Sequence, residues 1–185
     1  MGGISMIYIF LADGFEEIEA LTPIDILRRA EADVKTVGIG GKSIVSTRGI
    51  KVEADLEESE LTTVGLEMIV LPGGSPGYKN LDNSHTVHSY IDYAFEKGIW
   101  IAAICAAPTI LGKKGILKGK HAICFPGMEE QLQGAIISDE YVCEDDNFIT
   151  AKGAGVSVDF SLSLVAKLKG KQRADAIKAQ MQCRI

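Results

Sequence analysis

Cys105 lies in the segment IAAICAAP, residues 101–108, between an apolar run and a proline. The run predicts a buried strand, and the chain then turns directly into a helix, so the cysteine falls at a sharp strand-to-helix turn. Such a turn projects a nucleophile out of a sheet, although the Gly-x-Ser-x-Gly pattern is absent. A helix N-terminus favours thiolate by lowering a cysteine pKa from about 8.5. This segment alone leaves two alternatives: a reactive thiol or a small buried hydrophobic residue.

Gly73 and Gly74 follow another apolar run, residues 68–71, and are expected beside that turn. Adjacent glycines allow backbone N–H groups to point at a ligand, as an oxyanion hole requires. The N–H groups of Gly74 and Ala106 are the candidate donors. An ordinary turn is the alternative for the glycine pair.

Three acids, Glu16, Glu17 and Glu19, open the first predicted helix. The helix dipole alone explains Glu16 and Glu17. Glu19 stands beside Ile18 and Ala20 and is predicted to turn partly inward. A carboxyl group buried beside a thiolate stays protonated, donates a hydrogen bond to sulfur and acts as a general acid or base.

The remaining polar candidates carry weaker signals. No histidine has metal-ligand spacing, so no metal site is predicted. Arg48 lies on a predicted side hairpin, where it is solvated or steers an anionic group.

Short apolar runs alternate with longer helical patterns along the chain. This alternation predicts one doubly wound α/β domain over residues 1–185, with a mostly parallel sheet and helices on both faces. Sites in such sheets form at the carboxyl ends of the strands, where Cys105 and Gly73 fall. Pro23 is predicted to kink or break the helix over residues 16–30. The predicted strands are 6–10, 34–37, 44–46, 51–54, 68–71, 100–104, 121–124, 142–145 and 148–151, and the further helices are 85–96, 108–117, 156–168 and 173–181.

Composition excludes several functional classes. The 185 residues carry 19 basic and 25 acidic side chains, a net charge of −6, which argues against nucleic-acid binding. Four distant cysteines without a Cys-x-x-Cys pair predict reduced thiols in a cytoplasmic protein. No apolar run reaches the ~18 residues of a membrane span. Residues 1–5 precede the first periodic segment and are interpreted as a cloning remnant.

Four motifs together resemble the ThiJ/PfpI superfamily, and more narrowly its DJ-one branch. They are LADGFEEIE at 11–19, LPGG at 71–74, AAICAAP at 102–108 and GAG at 153–155. The resemblance implies a flavodoxin-like sandwich, a homodimer and no cofactor. It places the nucleophile on Cys105, its protonated carboxyl partner on Glu19, and the oxyanion amides on Gly74 and Ala106.

The resemblance also implies candidate activities. Members are credited with glyoxalase III activity on methylglyoxal, with deglycation and with oxidative-stress sensing, and some with chaperone or peptidase activity. Many relatives carry histidine where this chain has Phe125, and peptidase-like relatives carry it where Ala106 stands, so a Cys-His peptidase or amidase is disfavoured. Phe125, Gly73, Cys124 and Arg48 are expected near the pocket, with Cys124 either a resolving thiol or a strand-packing residue. The leading hypothesis is an enzyme acting on small dicarbonyls, and the alternative is a redox sensor or chaperone that depends on oxidation of Cys105.

Overall fold

The apolar run Met6–Leu11 forms the strand around which the rest of the chain is built. The computed structural model describes residues 5–183, so most of the interpreted remnant, residues 1–4, lies outside the described residues. The strands are β1 (Met6–Leu11), β2 (Val34–Gly38), β3 (Ser43–Val45), β4 (Lys51–Glu53), β5 (Leu56–Glu57), β6 (Leu66–Leu71), β7 (Trp100–Ile104), β8 (His121–Ala122), β9 (Ile136–Ile137), β10 (Val142–Asp145) and β11 (Phe148–Ala151). The helices are α1 (Glu17–Arg29), α2 (Gly77–Asp82), α3 (His85–Lys97), α4 (Pro108–Lys113), α5 (Ser157–Lys169) and α6 (Lys171–Gln180).

Seven strands form the main sheet in the order β10-β11-β7-β6-β1-β2-β5. Only the edge pair β10–β11 is antiparallel, and the other neighbouring pairs of this sheet are parallel. β3 and β4 form a separate antiparallel hairpin, and β8 and β9 a short parallel pair. The α/β class and the mostly parallel sheet predicted from the sequence are confirmed.

Both faces of the sheet are covered because its central strands are apolar on both sides. Along β1, Ile7 and Ile9 pack in the cluster that contains residues of α1, α5 and α6. Tyr8 and Phe10 pack in the opposite cluster, with residues of α2, α3 and α4. Successive side chains of a strand point to opposite faces, so one continuous apolar run fills both layers.

Several sequence predictions needed correction. Pro23 neither breaks nor ends α1, which runs through it from Glu17 to Arg29. A proline removes one helix hydrogen bond and crowds the carbonyl four residues earlier. Buried residues on either side of Pro23, among them Ala20 and Leu27, nevertheless hold both halves of the helix in the core. α4 is six residues long rather than ten, and α2, β5 and β9 were not predicted.

Two features of the described residues, the character of the helices and the state of the cysteines, bear on the class of protein. Among residues 5–183, no helix combines the length and apolar character that crossing a membrane requires. All four cysteines are free.

Candidate active site

Cys105 directly follows β7 in a backbone conformation that is uncommon for a side-chain-bearing residue. Its φ is +65°, in the left-handed region. The cysteine N–H donates to Ala151 O at 2.9 Å, and its carbonyl accepts from the Phe125 N–H at 2.7 Å. Neighbouring strand and loop therefore hold the turn in place, the usual condition for strain to persist at a functional site.

Glu19 is the acid that reaches this turn. It is 1% exposed, and its Oε2 accepts the Gly73 N–H at 3.0 Å. The same carboxyl group lies beside the Cys105 side chain and the backbone of Ala154, and both act to lower its pKa. Glu16 caps α1 by accepting the Glu19 N–H at 2.9 Å, which fixes the first turn from which Glu19 projects.

Burial raises the pKa of Glu19 to about 7, and the nearby charge of Glu16 acts in the same direction. A carboxyl group at this position therefore holds a proton far more readily than a solvated one.

The Cys105 thiol responds to the same surroundings. Burial, followed by the charge of an ionised Glu19, raises the pKa of Cys105, whereas the N–H groups of Ala106 and Gly74 lower it. The lowered pKa predicted from the helix N-terminus is therefore wrong for the state with ionised Glu19. α4 has only six residues, so little helix field reaches the sulfur. The two side chains titrate as a pair, and thiolate forms near neutral pH only when the shared proton resides on Glu19.

Glycine is required where the loop after β6 meets this pair. A Cβ on Gly73 would lie 2.5 Å from Glu19 Oε2 and 2.7 Å from Cys105 Cβ, inside both side chains. Gly74 has φ +95°, and a Cβ there would lie 2.4 Å from the Glu16 N atom. The glycine pair thus allows acid, thiol and backbone amides to approach one another.

The N–H groups of Gly74 and Ala106 lie close enough to the Cys105 sulfur to lower the pKa of its thiol. Within residues 5–183, neither N–H donates to a backbone carbonyl. Two unpaired backbone donors beside a thiol are the kind of arrangement that an oxyanion hole requires.

Half-buried Cys105 faces an open pocket of about 320 Å³. Phe125, which was predicted to lie near the pocket, lines it and is 50% exposed. The pocket is lined by Gly74, Ser75, Tyr78, Cys105, Ala106, Phe125 and Met128. Tyr78 and Met128 carry no sequence signal, because they come from α2 and from a loop that pattern analysis does not place.

Three of the four residues expected near the pocket do not line it. Gly73 is buried, and its N–H donates to Glu19 instead. Cys124 is fully buried in the core, with its Sγ 3.5 Å from Phe125 O. A packing role fits this position, whereas a resolving thiol would have to be accessible. Arg48 is exposed in the turn of the β3–β4 hairpin, and its side chain is not part of the pocket wall.

Glu17 has a role that the helix dipole does not explain. It is buried and accepts hydrogen bonds from the Ser46 hydroxyl, the Thr47 hydroxyl at 2.9 Å and the Arg48 N–H at 2.7 Å. Burial acts to raise its pKa, yet these hydrogen bonds outweigh burial and lower the pKa to about 2. Glu17 therefore ties the hairpin to α1 as a carboxylate.

No metal centre is apparent in the part of the chain that the structure describes. Residues 5–183 contain no group of three or more His, Cys, Asp or Glu side chains placed to hold an ion.

Comparison with known proteins gives concordant matches. The DJ-1/PfpI family profile matches residues 5–167. Protein dj-1beta of Drosophila melanogaster is 33% identical over 172 residues, covering 91% of this chain and 92% of the relative. A Parkinson disease protein 7 homolog of Danio rerio is 35% identical over 179 residues, covering 94% of each. Glutathione-independent glyoxalase DJR-1.2 of Caenorhabditis elegans is 26% identical over 163 residues, covering 88% and 87%.

Solved structures agree over almost the full chain. A C103A mutant of a DJ-1 superfamily protein from Salmonella typhimurium superposes with a TM-score of 0.93 at 32% identity, covering 98% of this chain and all of the other. Oxidized Toxoplasma gondii DJ-1 gives a TM-score of 0.89 at 30% identity, with 96% and 98% covered.

Proposed function

The chain belongs to the DJ-1/PfpI family, and we propose that it is a cofactor-free cysteine enzyme that converts small reactive dicarbonyls, as a glyoxalase or deglycase does. Cys105 is the nucleophile and Glu19 the general acid and base. One observation carries the proposal: a buried carboxyl group lies beside the thiol and accepts a hydrogen bond from the loop that supplies an oxyanion donor. The glyoxalase name of the Caenorhabditis elegans relative supports the same reaction class.

The first step places the shared proton on Glu19 and the charge on sulfur. In that state the acid no longer repels the thiolate but donates a hydrogen bond to it, and the N–H groups of Gly74 and Ala106 add two more. The thiolate attacks the aldehyde carbon of methylglyoxal, forming a C–S bond. The aldehyde oxygen becomes an oxyanion beside the two N–H groups and then takes the Glu19 proton, giving a hemithioacetal.

The second step uses Glu19 as a base. Its carboxylate removes the hydrogen on the former aldehyde carbon, and a proton is returned to the adjacent ketone carbon through an enediol. The product is a lactoyl thioester on Cys105, formed without net oxidation. Water then cleaves the C–S bond, releasing lactate and regenerating the thiol and acid pair. Loss of one oxyanion donor costs about 3–4 kcal/mol in comparable sites.

Deglycation follows from the same groups. An early adduct of a dicarbonyl with an amine carries a carbinol carbon at the aldehyde oxidation level. Attack of Cys105 there with protonation of the nitrogen by Glu19 expels the amine and leaves the same hemithioacetal.

Lactate formation from methylglyoxal by purified protein tests the proposal. We expect no detectable turnover in Cys105→Ala and a loss of about 100-fold or more in Glu19→Gln, the usual scale for a general acid–base group. Glu96→Gln removes an exposed carboxylate on α3 and serves as the matched control with unchanged rate. Equal turnover in all four proteins rejects the assignment.

A redox sensor is the second candidate. It is favoured by the same donors around a half-buried sulfur, and one similar solved structure is of an oxidized protein. Two peroxide molecules convert the thiol to a sulfinic acid with release of two waters. Intact mass after peroxide treatment should show two added oxygen atoms that disappear in Cys105→Ala. Fast oxidation without dicarbonyl turnover identifies the sensor.

A homodimer remains a proposal for the assembly. Apolar side chains are exposed on α1 and on the adjoining hairpin, among them Ile18 at 52% and Ile50 at 50%. Light scattering coupled to gel filtration should give twice the 19.9 kDa chain mass. Ile18→Glu should reduce the measured mass to that of a single chain. A monomeric mass for the unmodified protein overturns this proposal. The four free thiols support the reducing cytosol as the proposed compartment.

A further inference from the structure

The pocket over Cys105 is larger and more apolar than the smallest dicarbonyls require. Of the seven residues that line it, none carries a charged side chain. Tyr78, Phe125 and Met128 supply aromatic and thioether surface, and Ser75 supplies a hydroxyl. The open volume of about 320 Å³ corresponds to on the order of ten waters at about 30 Å³ each. Methylglyoxal fills only a part of that space.

Phe125 is the exposed aromatic residue of this wall, and its backbone is tied to the turn at Cys105. Its N–H donates to Cys105 O at 2.7 Å, and its carbonyl accepts the Met128 N–H at 3.1 Å. The ring is 50% exposed, although an aromatic side chain gains most when buried. A rigidly placed aromatic ring that remains half in solvent is suited to cover a ligand.

The ring also lies close to the reacting atom. A Cβ built on Gly153 would stand 3.5 Å from Phe125 Cδ2 and 4.0 Å from Cys105 Sγ, so ring and sulfur border the same small space. A substrate bound covalently to that sulfur places its second substituent against the ring. The side chain at position 125 therefore contacts the part of the substrate that differs among dicarbonyls.

We propose that Phe125 is a specificity-determining residue that selects dicarbonyls with an apolar substituent, aryl or branched alkyl, on the ketone carbon. The inference rests on the proposed function and names its substrate class. Burial of aryl surface against Phe125, Tyr78 and Met128 favours such substrates over glyoxal, whose second substituent is hydrogen. A charged substituent is disfavoured, because the wall offers it no partner.

Turnover of phenylglyoxal to mandelate, compared with methylglyoxal to lactate, is the first test. We expect kcat/KM to be about tenfold higher for the aryl substrate, a difference of about 1.4 kcal/mol. Phe125→Ala should remove most of that preference, and Phe125→Leu should retain part of it. Both variants keep the backbone hydrogen bonds that hold the turn. Phe95→Ala is the control, since it removes an exposed ring on α3, outside this pocket.

A second readout does not depend on turnover. Intact mass gives the rates at which N-phenyl iodoacetamide and iodoacetamide label Cys105, each divided by its rate with a small free thiol. The corrected ratio should favour the aryl reagent about tenfold in the unmodified protein and fall toward one in Phe125→Ala.

The two measurements separate the possible failures. Aryl labelling preference without any dicarbonyl turnover overturns the proposed reaction but supports the apolar recognition surface. Turnover with equal kcat/KM for both substrates and no labelling preference overturns the role of Phe125 alone. A preference that persists in Phe125→Ala also overturns it, since the selecting surface then lies elsewhere.

Discussion

Replacing Glu19 by Gln should shift the pKa of Cys105, and the direction of that shift depends on whether the shared proton resides on Glu19 or on the thiol. With Glu19 ionised, its charge raises the pKa of Cys105. Removing that charge then lowers the thiol pKa. With Glu19 protonated, its O–H donates to the thiolate, and the substitution removes a strong donor. The proposed mechanism requires the second arrangement, so we expect the midpoint of Cys105 alkylation to rise in Glu19→Gln.

The magnitude follows from the hydrogen bond that is lost. A hydrogen bond to a charged group contributes about 1.5–3 kcal/mol, and one pKa unit corresponds to about 1.4 kcal/mol. The shift is therefore about 1–2 units, toward the lower value because the amide of Gln still donates weakly. The N–H groups of Gly74 and Ala106 are unchanged and contribute equally to both proteins.

The assay is the rate of iodoacetamide alkylation from pH 4 to 11 at constant ionic strength, followed by intact mass. Cys183 is the other half-exposed cysteine, so all proteins carry Cys183→Ser, while Cys124 and Cys143 are buried. Glu96→Gln should leave the midpoint within experimental error, since it lies on the exposed surface of α3.

A midpoint that falls in Glu19→Gln would falsify the reasoning. It would mean that Glu19 is ionised beside a protonated thiol over the working pH range, and that neither attack on an aldehyde nor acid catalysis by Glu19 starts from the proposed state. An unchanged midpoint would show that the hydrogen bond between the two side chains does not control ionisation of the sulfur.

Three further outcomes are expected. Gly153→Ala should fold normally, since its Cβ would lie at ordinary distances of 3.5–4.0 Å from its neighbours, yet it should lose dicarbonyl turnover because that Cβ fills the space beside the sulfur. Gly73→Ala should instead lower the thermal unfolding temperature, because its Cβ would displace Glu19. Equal stability of the two variants contradicts this expectation. The pKa of Glu19 is raised to about 7, so the folded state binds this proton more tightly, and stability relative to Glu19→Gln should decrease as pH rises from about 4.5 to about 7, as chemical denaturation at several pH values will show. The pKa of Glu17 is lowered to about 2, so the folded state favours its carboxylate. The free energy of unfolding should exceed that of Glu17→Gln by about 1.5–3 kcal/mol at neutral pH, and this difference should disappear as pH falls from about 4.5 toward 2. A difference that does not depend on pH contradicts the hydrogen-bonded carboxylate.

The sequence by itself determined the architecture and the position of Cys105 at the end of a buried strand. Apolar runs such as residues 100–104 are strands in the structure because only a strand buried on both faces suits so short an unbroken apolar segment. Small residues around Cys105 and the pair Gly73 and Gly74 marked the turn and the loop, since both backbones require space that side chains would occupy.

Tertiary structure decided which polar groups meet the sulfur. Sequence patterns placed three acids on one helix turn, but only packing of α1 against the loop after β6 directs Glu19 to Cys105 and Glu17 to the hairpin. Cys124 lies in the core and Phe125 lines the pocket, and the packing around the loop after β8, not the local sequence, decides which of the two faces the sulfur. Protonation of the pair depends on burial and on distances between segments far apart in the chain, which local sequence does not encode.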